Sequence, residues 1–127
     1  MRALIFCTTC RHSADAKTGP DGRTGGEALK AHAEAALAAA GRTDLRVEGQ
    51  ACLWNCKRHC SVVFRDDARF SYVGGDYKPE AQAAEAIIAW FDLHGKSETG
   101  EVSFKEWPDG VRGHFIARMP PLKGEPT

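Results

Sequence analysis

The chain has 127 residues, enough for one domain that buries roughly 65–70% of its unfolded surface without help from metal or disulfides. Lys plus Arg and Asp plus Glu both number 17, which removes the basic excess that phosphate-backbone binding needs and excludes nucleic acid as an expected partner. A hydrophobic share of 43% with no apolar run near the length of about 20 residues that spans a bilayer leaves a globular, cytoplasmic protein as the expectation, with neither signal peptide nor membrane contact.

Ala3-Leu4-Ile5-Phe6 is a short continuous apolar run, the pattern of a strand buried on both faces. From Arg11 to Gly26 the chain is rich in Ser, Asp, Thr, Pro and Gly, and reads as a long loop. Glu27 to Ala40 is dense in Ala, Leu, Glu and Lys and predicts a helix stopped by Gly41. Leu45 to Ala51 alternates at period two and predicts the second strand. Ser61–Phe64 and Arg69–Val73, β-branched and aromatic, predict an antiparallel hairpin across Arg65–Ala68. Pro79 suits the first turn of a second helix, in which Ala83, Ala84, Ile87, Ile88 and Phe91 form an apolar stripe before Gly95 stops it. Val102-Ser103-Phe104 is a candidate short strand, and Trp107-Pro108-Asp109-Gly110 a turn leading into a Pro-rich tail.

The order β, α, β, hairpin, α gives an α/β, thioredoxin-like layout: a mixed four-stranded sheet flanked by two helices. Residues 1–104 would form that domain and 105–127 a C-terminal extension.

Five cysteines are an odd number, and in a reducing compartment they point to metal or redox work rather than a disulfide framework. Cys7 and Cys10 follow the first strand, and Cys52, Cys56 and Cys60 follow the second at steps of four. Parallel neighbours would bring both groups to one sheet edge, where open α/β sheets build their sites. Four thiolates there suit either tetrahedral Zn²⁺ or an iron–sulfur cluster, and spacing alone does not separate the two.

Free cysteines are often small buried hydrophobes, but five gathered at two strand ends exceed what packing requires. Cys7-Thr8-Thr9-Cys10 also fits a thiol–disulfide oxidoreductase. Against that, a long loop rather than a helix start follows Cys10, no proline precedes Ser61, and the three later cysteines have no part to play. His12 and His59 do not complete the paired Cys-x-His loops of a Rieske centre. His32, His94 and His114 read as surface residues, and Trp54 either shields the site or meets a partner. No Ser-His-Asp set, phosphate loop or carboxylate pair argues for an enzyme, and Gly25-Gly26 is too little for a phosphate site.

Cys52-Leu53-Trp54-Asn55-Cys56, followed by Ser61–Phe64 and an aromatic hairpin strand, resembles the C-x-x-x-C segment of thioredoxin-like [2Fe–2S] ferredoxins. The fuller pattern is Cys7-x-x-Cys10, Cys52-Leu53-x-x-Cys56-x-x-x-Cys60, Phe70-Ser71-Tyr72, Gly75-Asp76 and the tail Trp107-Pro108 through Pro121. It resembles the DUF1636 family, small bacterial proteins read as metal-binding. That resemblance implies a [2Fe–2S] cluster, with either Cys10 or Cys60 as its second ligand; the expected set is Cys7, Cys10, Cys52 and Cys56, with Cys60 as a neighbouring or exchangeable thiol. It further implies a homodimer, a redox partner protein and a link to cobalamin metabolism. The expected role is a carrier of single electrons rather than an enzyme; the alternative is a zinc or cobalt delivery module using the same thiolates. One departure is that thioredoxin-like ferredoxins separate their first two ligands by about a dozen residues, whereas only Thr8 and Thr9 lie between Cys7 and Cys10.

Arg11, His12, Lys57, Arg58 and His59 lie beside cysteines, and no acid occurs between Ala51 and Phe64. Nearby cations favour thiolate ligation and raise the potential of an anionic cluster. Replacing Lys57 and Arg58 by Gln is therefore expected to lower the reduction potential, which voltammetry of the cluster-bearing protein would measure.

Overall fold

In the computed structural model, which describes residues 1–13, 16–54 and 59–122, the N-terminal apolar run becomes β1 (Arg2–Cys7). Leu4 and Phe6 are fully buried on one face, and on the other Ala3 and Cys7 are buried and Ile5 half-buried. Helix α1 (Gly25–Ala39) begins two residues before Glu27. Thr24 and Glu27 form a reciprocal capping box, with Glu27 N–H donating to Thr24 Oγ1 (3.1 Å) and Thr24 N–H to Glu27 Oε1 (2.8 Å). Strand β2 (Arg46–Gln50), the hairpin β3 (Val62–Asp66) and β4 (Ser71–Gly74), and helix α2 (Ala81–Lys96) follow as the sequence predicts.

The sheet has five strands, not four, in the order β2-β1-β3-β4-β5. The added strand, β5 (Phe115–Met119), comes from the segment expected to be an extension and pairs antiparallel with β4. Nothing in Phe115-Ile116-Ala117-Arg118-Met119 alternates, and the register shifts between Val73 and Gly74. The shift turns Phe115 onto the core rings while the rest of the strand stays exposed. The strand expected at Val102–Phe104 is absent; Phe104 instead opens a 3-10 turn (Phe104–Glu106), followed by a second one (Asp109–Val111).

Pairing is parallel between β1 and β2 and antiparallel elsewhere. Leu4, Phe6, Val62, Phe64 and Tyr72 face one side, where they join Leu29, Ala33 and Leu37 of α1 and Ile87, Trp90 and Phe91 of α2 in a single core. Both helices therefore cover the same face. Trp90 anchors this layer, its ring centroid lying 5.2 Å from Phe64, 4.7 Å from Tyr72 and 4.5 Å from Phe115.

Two expectations for α2 change. Gly95 lies inside the helix, where its missing side chain leaves room for the Arg2 guanidinium. His94 is fully buried, not a surface residue. Its Nδ1 lies 3.1 Å from Arg2 Nη1 and its Nε2 2.7 Å from the Phe70 carbonyl oxygen. A guanidinium only donates, so Nδ1 accepts and Nε2–H donates, which fixes a neutral tautomer. Arg2 also reaches the buried Asp66 carboxylate at 2.5 Å, and Arg69 reaches it at 3.1 Å. His114, likewise expected on the surface, is half-buried, with Nδ1 2.9 Å from the Gly75 carbonyl oxygen and its ring stacked on Tyr77.

Burial holds the His94 pKa below its ordinary value; the Phe70 carbonyl and the Asp66 charge favour the cation, while Arg2 and Arg69 oppose it. The unfolded chain therefore binds this proton more readily, and stability should decline as pH falls below about 6.5. Asp66, held low against its burial by the Ala68 N–H and the two arginines, adds a second loss only as pH falls through about 4. Unfolding free energies from urea denaturation at pH 7 to 5 are expected to drop by up to about 1.4 kcal/mol per pH unit, and His94→Gln should flatten that window.

Candidate thiolate site

Parallel pairing of β1 with β2 sets Cys7 opposite Gln50, so both chains leave the sheet at one edge. Beyond it, the Thr8 N–H donates to the Gln50 carbonyl (2.9 Å) and the Thr9 hydroxyl to the Ala51 carbonyl. The start of β3 joins them, since the Cys7 N–H donates to the Ser61 carbonyl (3.1 Å). Three stretches of chain thus meet around the first cysteine pair.

The Cys7 and Cys10 thiols are neighbours, close enough for each to affect the ionisation of the other. Burial opposes ionisation of Cys7, but hydrogen bonds from Cys10, the Thr9 hydroxyl and the Leu53 and Thr9 N–H groups outweigh it and hold that thiol below its ordinary value. Burial pushes Cys10 up despite the Ser61 and Cys60 N–H groups, and the neighbouring Cys7 adds to the rise. Cys60, fully buried and at φ 54°, is pushed up to about 12 by burial together with the charges of Cys10, Cys7 and Asp76. Its thiol faces the Arg11 carbonyl oxygen at 3.8 Å.

Cys52 is exposed, and its Sγ accepts the Trp54 N–H (3.2 Å). It stands one residue before Leu53, whose N–H reaches Cys7, so the second cysteine stretch does arrive at the first. Trp54 is 94% exposed and at φ 61°, so its ring does not shield the thiols. Cys56, Lys57 and Arg58 lie outside the described residues. Among the described residues, no three Cys, His, Asp or Glu side chains are gathered into a group that could hold a metal ion.

A helix start does adjoin the cysteines, contrary to the sequence reading. The long loop folds back, Thr24 Oγ1 donates to the Thr8 carbonyl (2.6 Å), and the Gly26 N–H donates to the Cys10 carbonyl (3.3 Å). Gly25 and Gly26 are there because a Cβ at either would fall on the Arg11 or the Cys7 carbonyl oxygen. The loop also carries a residue that no local signal marks. Two backbone hydrogen bonds, from the Ser13 N–H to the Ala16 carbonyl (3.0 Å) and from the His12 N–H to the Lys17 carbonyl (3.0 Å), bring Lys17 to the site. Lys17 and Arg11 line a pocket of about 270 Å³ with Cys7, Thr9 and Cys10. His12 packs beside Gly19 instead, and His59 Nδ1 stands 3.9 Å from Asp76.

Residues 4–121 match the model of the family described as "Protein of unknown function (DUF1636)", which spans nearly the whole chain, both cysteine stretches and β5. The chain belongs to the DUF1636 family. No curated protein and no solved structure matches it. For this DUF1636 chain, the contact between the start of α1 and the cysteine turn is the packing constraint on the site. Gly26→Ala is expected to destabilise it by about 1–3 kcal/mol, as overpacking against rigid backbone does, which urea denaturation of the reduced protein would show.

Proposed function

We propose that this DUF1636 protein is a small iron–sulfur protein that carries single electrons on a thioredoxin-like framework. The observation that supports it is the meeting of the two cysteine stretches, with backbone N–H groups of Leu53, Thr9, Ser61 and Cys60 directed at the Cys7 and Cys10 sulfurs. The strand order β2-β1-β3-β4, with β3 antiparallel to the other three, is consistent with that framework.

The donor set fits such a group in its chemistry. It is soft, rich in sulfur and supplied with N–H donors, the features that thiolate-held iron uses. Cys7 and Cys10 form the first pair of ligands, and Cys52 and Cys56 the second. Cys60, buried behind Cys10, is the neighbouring thiol available for exchange. A [2Fe–2S] group held there would take up and release one electron at a time. The chain's own part is to fix the sulfurs through Thr8, Thr9 and the start of α1, and to favour the reduced form through N–H donors and nearby cations. A second reading, delivery of zinc or cobalt on the same thiolates, is favoured by one feature, the open pocket lined by Arg11 and Lys17 over the first pair.

Anaerobically purified protein is expected to show visible thiolate-to-iron absorption, with iron and sulfide in equal amounts. Cys7→Ser and Cys10→Ser should abolish the colour and Cys60→Ser should retain it. A colourless protein with stoichiometric zinc would favour the second reading, and colour retained in Cys10→Ser would overturn the ligand assignment.

A further inference from the structure

The pocket over Cys7 and Cys10 is charged in a way that thiol ligation alone does not call for. Arg11 and Lys17 line it, both are exposed, and neither makes an ion pair among the described residues. This occurs in a chain whose acidic and basic residues balance at 17 each. Several arginines elsewhere do find acids, Arg2 and Arg69 with Asp66, Arg42 with Asp44 and Asp92, and Arg118 with Glu101, whereas Arg65 stands exposed like Arg11 but away from any thiol. Two cations with no acid partner among the described residues repel a bare divalent metal ion and attract an anion. At about 270 Å³ the pocket holds roughly nine waters, on the basis of about 30 Å³ each, which is room for a small molecule and not for a macromolecule.

We infer that this pocket receives metal as a small anionic carboxylate complex, with Arg11 and Lys17 holding the carboxylates while Cys7 and Cys10 take the metal. This rests on the thiolate reading above and adds the form in which metal reaches it. In each exchange a metal–oxygen bond to carboxylate breaks as a metal–sulfur bond to Cys7 or Cys10 forms. The thiol proton passes to the freed carboxylate or to water, and no electron is transferred. The exposed guanidinium suits a bidentate grip on one carboxylate, and the Lys17 ammonium acts as a point charge on another.

The test uses the full chain, reduced and metal-free, with cobalt(II) as a probe whose thiolate charge-transfer band reports ligation. Loading is followed by stopped flow from the aquo ion and from the cobalt–citrate complex. The expected result is opposite salt dependence, loading from citrate slowing and loading from the aquo ion quickening as salt is raised. Arg11→Gln and Lys17→Gln should each slow loading from citrate, and together by about tenfold, while the final cobalt–thiolate band is unchanged. Arg11→Lys should retain most of the rate. Equal salt dependence for the two sources, or rates unmoved in the double variant, would overturn the inference while leaving the thiolate reading in place. Absence of any thiolate band would overturn that reading, and with it the delivery role. Calorimetry of citrate with the metal-free chain then reads the anion site on its own. Binding lost in the double variant upholds that site, and no binding to the unaltered chain removes it.

Discussion

The site depends on the in-register parallel pairing of β1 with β2. Because Cys7 sits opposite Gln50, the two chains leave the sheet side by side, and the hydroxyls of Thr8 and Thr9 can reach the carbonyls of Gln50 and Ala51. A slip of one residue would turn Phe6 out of the core and Cys7 into it. Leu4 and Phe6, seated in the core opposite Phe64 and Val62 of β3, fix which face β1 presents and thus also help to hold the thiols in place.

The second constraint is closeness of backbone to backbone. The start of α1 is pressed against the cysteine turn so tightly that only glycine fits at positions 25 and 26, and Thr24 both caps the helix and ties it to Thr8. Helix, turn and strand ends form one unit, and burial of both helices on a single sheet face supports it from beneath. Within this unit Cys7 and Cys10 differ: Cys10, the Thr9 hydroxyl and the Leu53 and Thr9 N–H groups together favour the thiolate at Cys7 against its burial, while burial favours the thiol at Cys10.

Much of this could be read from the residues. The apolar run of β1, the alanine-rich helix and the aromatic hairpin carry local periodicity strong enough to name each element, and the β-α-β order foretold that the segments after β1 and β2, which carry Cys7 and Cys52, leave the sheet at one edge. What escaped was set by distant contacts. β5 shows no alternation, its register shifts between Val73 and Gly74, and only contacts distant in sequence, with Phe64, Tyr72, Trp90 and Trp107, seat the half-buried Phe115 against the core. Lys17 and the glycine pair acquire their roles through the folding back of a loop whose composition says only that it is a loop. His94 is buried because Arg2, sixty-odd residues from Asp66 in sequence, meets both at the far end of α2.

The late addition of β5 has a consequence for the molecule's solubility. It covers the outer edge of β4 and brings Phe115 into the rings of Phe64, Tyr72, Trp90 and Trp107. A chain cut before Phe115 would leave β4 with unpaired backbone donors and acceptors beside bared aromatic surface, a template for adding strands from other copies. The last strand thus covers the aromatic surface and becomes the sheet's edge itself, at the opposite side from the edge strand β2, whose neighbour β1 leads into the cysteines.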